Sequence, residues 1–182
     1  MEDVNKHDGF EERLLSPERK KVEDPEKFLP RLLKRGDVAA EFGSGPGYYS
    51  VVIARYVSRL YCIEKNSRSL SIARQHVSSS NVLFLNEDST KTSVPSASVD
   101  VVVLANAFHD MDRKGTADEI VRVMNAEGRI VVVDWNKAES DMGPPFELRM
   151  NEQDYLSFFK DFIIREKFIV GPDHYGVVLV HF

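Results

Sequence analysis

Three features of the sequence predict an α/β fold, doubly wound around a mainly parallel seven-stranded sheet. Short apolar strands alternate with amphipathic helices from Asp37 onward, and a glycine cluster, Gly43-Ser-Gly-Pro-Gly47, joins the first strand to its helix. The last two apolar runs are separated by Gly171-Pro-Asp-His-Tyr-Gly176, too short for a parallel crossover, so the final strand must be antiparallel. The length of 182 residues and the 42% hydrophobic composition suit one compact domain, placed at residues 24–182. Residues 1–23 are charged and lack an apolar period. They read either as a solvated tail or as a lid that orders over a ligand.

Asp24-Pro25 has the form of an N-cap and first helical residue, followed by the apolar stripe Phe28, Leu29, Leu32 and Leu33. Pro30 inside that stretch is expected to shorten or kink the helix. The first strand is expected at 38–42 and its helix at 48–57, with Val51, Val52, Ala54 and Val57 turned inward. A strand at 60–63, a helix at 67–77 and a strand at 82–85 follow, then an irregular crossover at 90–98. The run 99–105 is the most apolar of the chain and belongs at the centre of the sheet, buried on both faces. A helix at 116–124, a turn at 125–128 and a strand at 129–133 come next. The loop 134–148 leads to a helix at 153–160 and to closing strands at 163–170 and 177–182. The count is five β-α units and a terminal hairpin.

The formal charge of −5 and pI near 5.6 exclude a strongly basic nucleic-acid footprint for the chain as a whole. The single cysteine, Cys62, excludes an intrachain disulfide framework and a cysteine-rich zinc module, and reads as a small core residue. The first residues show no secretory signal, and no uncharged apolar stretch is long enough to span a membrane. The expectation is a cytoplasmic protein with no membrane span and no metal site.

In doubly wound sheets a ligand sits beyond the carboxyl ends of the strands, where strand order reverses. That rule selects Glu41 to Gly47, Glu64, Asp88, Asn106 to Asp110 and Asp134-Trp135. An antiparallel last strand brings the turn before it, with His174 and Tyr175, to the same edge. Glycines at 43, 45 and 47 let the chain turn sharply and let backbone approach a ligand closely. Glu64, about 20 residues further on, is placed to accept the ribose hydroxyls of an adenosine. Dinucleotide binders use G-x-G-x-x-G, whereas here the third glycine comes one residue early and Tyr48 takes its place. Glu41 would repel a pyrophosphate and attract an ammonium. S-adenosylmethionine carries a sulfonium and an ammonium and no phosphate, so the charge pattern favours it.

Glu41-Phe-Gly-Ser-Gly-Pro-Gly47 resembles the first motif of class I S-adenosylmethionine-dependent methyltransferases. Glu64 is similar to the ribose-binding acid of their second motif, and Asn86-Glu-Asp88-Ser to the segment beside the adenine. The stretch from Asp100 to Phe108 resembles their fourth motif, and Val123-Met-Asn-Ala-Glu-Gly-Arg-Ile130 the turn before their fifth strand. Leu15-Ser-Pro-Glu-Arg19 and Asp134-Trp135 with Gly143-Pro-Pro145 resemble the small-molecule branch, which includes ubiquinone- and menaquinone-biosynthesis C-methyltransferases. The resemblance implies a Rossmann-like methyltransferase fold with S-adenosylmethionine as cofactor and a small, lipid-like molecule among the possible methyl acceptors. It further implies that Gly43 and Gly45 backbone contacts the methionine part, with Glu41 on the amino group and Asp88 on the adenine amino group. Asn106 backbone would border the sulfonium. Two departures are Lys65, where the family has an apolar residue against the adenine, and Asn125-Ala-Glu-Gly128 in place of a proline-glycine turn.

Methyl transfer is an in-line displacement that needs alignment and water exclusion, and a general base only when the accepting atom must lose a proton. His109 and Asp110 are the first candidate bases, and His174 and Tyr175 the second; for Asn106, His109 and Asp110, capping of the next helix is the alternative. Trp135, Arg149 and Tyr175 are candidates for an acceptor pocket, against core packing or loop anchoring for Trp135 and a structural role for Arg149. His7, His76 and His181 read as surface residues. The chain after the fourth strand, Asn106-Ala-Phe-His109, lacks the proline-proline signature of enzymes that methylate exocyclic amino groups of nucleic acids. A nicotinamide-dependent oxidoreductase and a non-catalytic cofactor-binding protein are the competing readings.

Overall fold

The computed structural model describes residues 9–140 and 142–182. His7, with the rest of residues 1–8, lies outside the described residues. The described residues open with a short helix α1 (Phe10–Leu14) and a 3-10 turn at Pro17–Lys21, where the Ser16 hydroxyl accepts from the Glu18 N–H. The helix expected after Asp24 is broken in two. Asp24 caps a 3-10 turn at Pro25–Lys27, and a single α-turn, α2 (Leu29–Leu32), follows with Pro30 near its start. Pro30 has no N–H to donate, so one continuous helix gives way to two short pieces.

The remaining order is β1 (Val38–Phe42), α3 (Ser50–Tyr56), β2 (Arg59–Ile63), α4 (Ser67–His76), β3 (Val82–Leu85), β4 (Val99–Ala105), α5 (Arg113–Val123), β5 (Met124–Trp135), α6 (Glu152–Phe158), β6 (Phe162–Ile169) and β7 (His174–His181). They form one seven-stranded sheet in the order β3-β2-β1-β4-β5-β7-β6. All neighbours are parallel except the pairs made by β7, which runs against both β5 and β6. Strand order reverses between β1 and β4, so the crevice lies beyond Phe42 and Ala105.

Alternate residues of the central strands feed two cores. Ala39, Val101, Val103, Val131 and Val133 pack against Phe28, Leu29, Val52 and Ile53 on one face. Ala40, Phe42, Val102, Leu104 and Val132 pack against Phe108, Ile120, Tyr155 and Phe159 on the other. Cys62 is buried in the first.

Four local expectations change. The third crossover, from β3 to β4, carries no helix, so only four strands are followed by one. Helix α5 starts earlier than expected, because Asp112 caps it by accepting from the Gly115 N–H at 3.2 Å; none of Asn106, His109 or Asp110 serves as that cap. The predicted turn at 125–128 is an excursion inside β5, whose pairing with β4 jumps from Val99↔Met124 to Val101↔Arg129. Asn125 holds the excursion by donating to Asp100 at 2.6 Å. His174 and Tyr175 lie in β7 itself, not in the turn before it.

Candidate functional site

A cavity of about 530 Å³ opens at the carboxyl ends of β1, β2 and β4. Its walls include Glu41, Gly43, Ser44, Gly45, Glu64, Asp88 and Asn106 of the predicted set, and Leu14 and Arg19 from the N-terminal segment. Gly47 is the one member of the predicted cofactor set that does not line it.

The glycine loop is pinned to the second strand: the N–H groups of Gly43 and Ser44 both donate to the Ile63 carbonyl, at 2.9 and 3.1 Å. Gly45 has φ +52° and faces open space, so backbone is bared to the cavity there. Gly47, at φ +94°, instead lets the turn pass α4: a β-carbon on it would come within 2.8 Å of Val77. Glu64 accepts from the Gly45 N–H at 3.0 Å and the Asn66 N–H at 2.8 Å, tying the loop to the end of β2. Asp88 is exposed, and its carboxyl is held below the usual range chiefly by hydrogen bonds from Thr90.

Glu41 is only 2% exposed. It accepts a hydrogen bond from the Ser50 hydroxyl, yet burial pushes its carboxyl up to about 8. Asn106 stands at φ +53°, a left-handed conformation that a non-glycine residue seldom adopts. Its side-chain N–H donates to Glu23 at 2.7 Å, while its buried carbonyl oxygen and the buried Ser44 hydroxyl have no hydrogen-bond partner among the described residues.

The predicted catalytic and acceptor residues sit near this edge but do not line the cavity. His109, in a 3-10 turn at Phe108–Asp110, places Nδ1 3.5 Å from Asp134 Oδ1 and Nε2 3.4 Å from Asp110 Oδ2. Burial pulls the imidazole toward neutrality, but the Asp134 and Asp110 carboxylates outweigh it, so its pKa is raised. Replacing Asp134 with Asn leaves burial as the dominant influence. We expect the His109 pKa to fall below its ordinary value in an NMR titration of that variant, and an unchanged titration contradicts the pairing.

His174 is buried against the Trp135 ring, 4.1 Å between centroids, and burial lowers its pKa. Tyr175 donates to the Met150 carbonyl at 2.7 Å. The Arg149 guanidinium is spent on its own loop, donating to the carbonyls of Asn136, Ala138, Met142 and Pro144 and to the Ser140 hydroxyl. Trp135 anchors the same loop, with Gly143 packed on its ring. The acceptor-contact expectation for Arg149 is therefore corrected: five polar acceptors leave it no free donor edge. Trp135 and Tyr175 serve the same loop. His76 and His181 are exposed, as expected.

Sequence reasoning passed over Glu23, which is 3% exposed and accepts from Arg19 Nε and the Tyr49 hydroxyl at 2.5 Å each, and from Asn106 at 2.7 Å. The i,i+4 spacing of Arg19 and Glu23 was the available signal. Among the described residues no group of three or more His, Cys, Asp or Glu side chains is arranged to hold a metal ion, and no helix is long and apolar enough to cross a membrane.

Residues 40–132, just over half of the sequence, match the profile of the methyltransferase domain. The chain belongs to that family. This methyltransferase is 34% identical to a type 11 methyltransferase structure from Sulfolobus solfataricus, at a TM-score of 0.80, covering 88% of this chain and 93% of that one. It is 27% identical to a S-adenosylmethionine-dependent methyltransferase from Aquifex aeolicus, at a TM-score of 0.85, covering 93% and 95% of the two chains. No curated protein matches it. Its cofactor is S-adenosylmethionine and its fold is that of the class I enzymes. The cavity suits that cofactor: a buried carboxyl that ionises readily only beside a cation, two unpartnered buried oxygen groups and bare glycine backbone are what a polar, cationic ligand answers.

Proposed function

We propose that this cavity is where the methyltransferase holds S-adenosylmethionine, and that the acceptor is a small molecule. The observation that carries the first part is Glu41, a buried carboxylate on a cavity wall that also bears Glu64. In this reading Glu41 takes the ammonium, Glu64 the ribose hydroxyls, Gly43 and Gly45 backbone the methionine part, Asp88 the adenine amino group, and Asn106 backbone borders the sulfonium. Gly47 shapes the loop from behind. When bound, the cofactor supplies an electrophilic methyl group on sulfur; the protein aligns the partners and excludes water.

The ionisation of Glu41 gives a signed prediction. Near pH 6 its carboxyl is protonated in the empty cavity, because its pKa is about 8. Binding an ammonium favours the carboxylate, so a proton leaves as ligand enters and affinity rises with pH. Affinity for S-adenosylhomocysteine, measured by calorimetry, should increase by up to about tenfold per unit over roughly pH 6 to 8. Glu41→Gln should flatten that slope; a flat wild-type profile removes Glu41 from the ammonium site.

Support for a small acceptor comes from the cover over the cavity and from its charge. Leu14 and Arg19 line it from the N-terminal segment, which supports reading that segment as a lid over the domain of residues 24–182. Among the described residues the walls carry six acidic side chains, Glu41, Glu64, Glu87, Asp88, Asp110 and Asp112, against two cations. Such a lining repels a phosphate backbone. Asp110 is the wall carboxylate placed to take a proton from an acceptor, with His109 behind it as a positioning residue. His174 is packed on Trp135 and does not line the wall, so it has no part in that step in this reading. Incubating the protein with methyl-labelled S-adenosylmethionine and fractionated cell extract should put label into molecules that pass a filter retaining protein and nucleic acid. Label retained in RNA or protein contradicts a small acceptor.

A further inference from the structure

The amino-acid end of S-adenosylmethionine carries two opposite charges on one carbon, an ammonium and a carboxylate. A wall of carboxylates answers the first and repels the second. Among the described residues, the cations lining the cavity are Lys65 and Arg19. They act at different ends. Lys65 follows Glu64 and bears electrostatically on Asp88, whereas Arg19 bears on Glu41.

Arg19 is held ready by the strap that carries it. Its Nε donates to Glu23 at 2.5 Å and its Nη1 to the Leu14 carbonyl at 2.9 Å, while the guanidinium lies 4.1 Å over the Tyr48 ring. Glu23 is in turn fixed by Tyr49 and Asn106. Arg19 Nη2 makes no hydrogen bond among the described residues, and the side chain is 13% exposed on the cavity wall. A guanidinium so desolvated and oriented binds a carboxylate far more strongly than a mobile surface arginine.

We propose that Arg19 is the counter-charge for the α-carboxylate of S-adenosylmethionine, pairing with it while Glu41 takes the neighbouring ammonium. This rests on the cavity's being the cofactor site. The N-terminal strap then contributes to cofactor recognition directly, and the methyl donor's zwitterionic end is read by one residue from the strap and one from the sheet.

The test compares S-adenosylmethionine with its decarboxylated form, which keeps adenosine, sulfonium and ammonium and lacks only the carboxylate. Affinities of both are measured by calorimetry on wild type, Arg19→Met and Arg19→Lys. Removing a charge-assisted contact should lower the ratio of the two affinities by about tenfold or more in Arg19→Met, with Arg19→Lys in between. General loosening of the strap weakens both ligands alike and leaves the ratio unchanged. An unchanged ratio therefore overturns the role of Arg19 even if both affinities fall. Failure of wild type to bind either ligand overturns the cofactor-site reading itself, a separate outcome.

Discussion

Glu64→Ala should weaken binding of S-adenosylhomocysteine by about ten- to a hundredfold, the loss expected when hydrogen bonds from two hydroxyls to a charged acceptor are removed. The same carboxylate accepts the N–H groups of Gly45 and Asn66, so the variant also frees the glycine loop from the end of β2. Both effects act in the same direction. Glu64→Gln separates them, because an amide oxygen keeps one backbone partner while the charge is gone, and its affinity should fall between wild type and Glu64→Ala. Titration calorimetry reads the affinities and a thermal melt reads the loop. Wild-type affinity in Glu64→Ala sinks the ribose assignment.

The second large effect is steric. A β-carbon on Gly171 would lie 1.7 Å from the Val22 carbonyl oxygen, where the hairpin before β7 meets the end of the N-terminal strap. Backbone cannot yield as a flexible side chain does. Gly171→Ala should therefore cost about 1–3 kcal/mol of stability and unseat the strap. Trypsin should then cut faster within Pro17–Lys21, which holds Arg19, Lys20 and Lys21, and affinity for S-adenosylhomocysteine should drop as Arg19 leaves the wall. Unaltered cleavage together with unaltered stability would mean that the strap does not depend on this contact.

The parts of the site legible in sequence are those written by local spacing. Glu41, the glycine loop and Glu64 lie within one β-α-β unit, where strand ends and turn chemistry fix position, and all but Gly47 line the cavity. Glu23 escaped because its partner Asn106 lies 83 positions away, and Arg19 because a charged stretch without apolar period gives no sign of the cavity it will line. Arg149 misled for the converse reason. Its acceptors are mostly main-chain carbonyls, which every residue possesses and no sequence pattern advertises. The fold was readable throughout the sheet because burial of alternate residues on two faces enforces it. The departures were local: the broken helix around Pro30, the helix-free crossover from β3 to β4, the earlier start of α5, the excursion at 125–128 and the earlier start of β7.

The most direct test is a crystal structure with S-adenosylhomocysteine bound. The account predicts the ligand in the cavity beyond β1, β2 and β4, with ribose hydroxyls on Glu64, its ammonium on Glu41 and its carboxylate on Arg19. A ligand seated elsewhere, or lying in this cavity with its ribose turned away from Glu64, would contradict it.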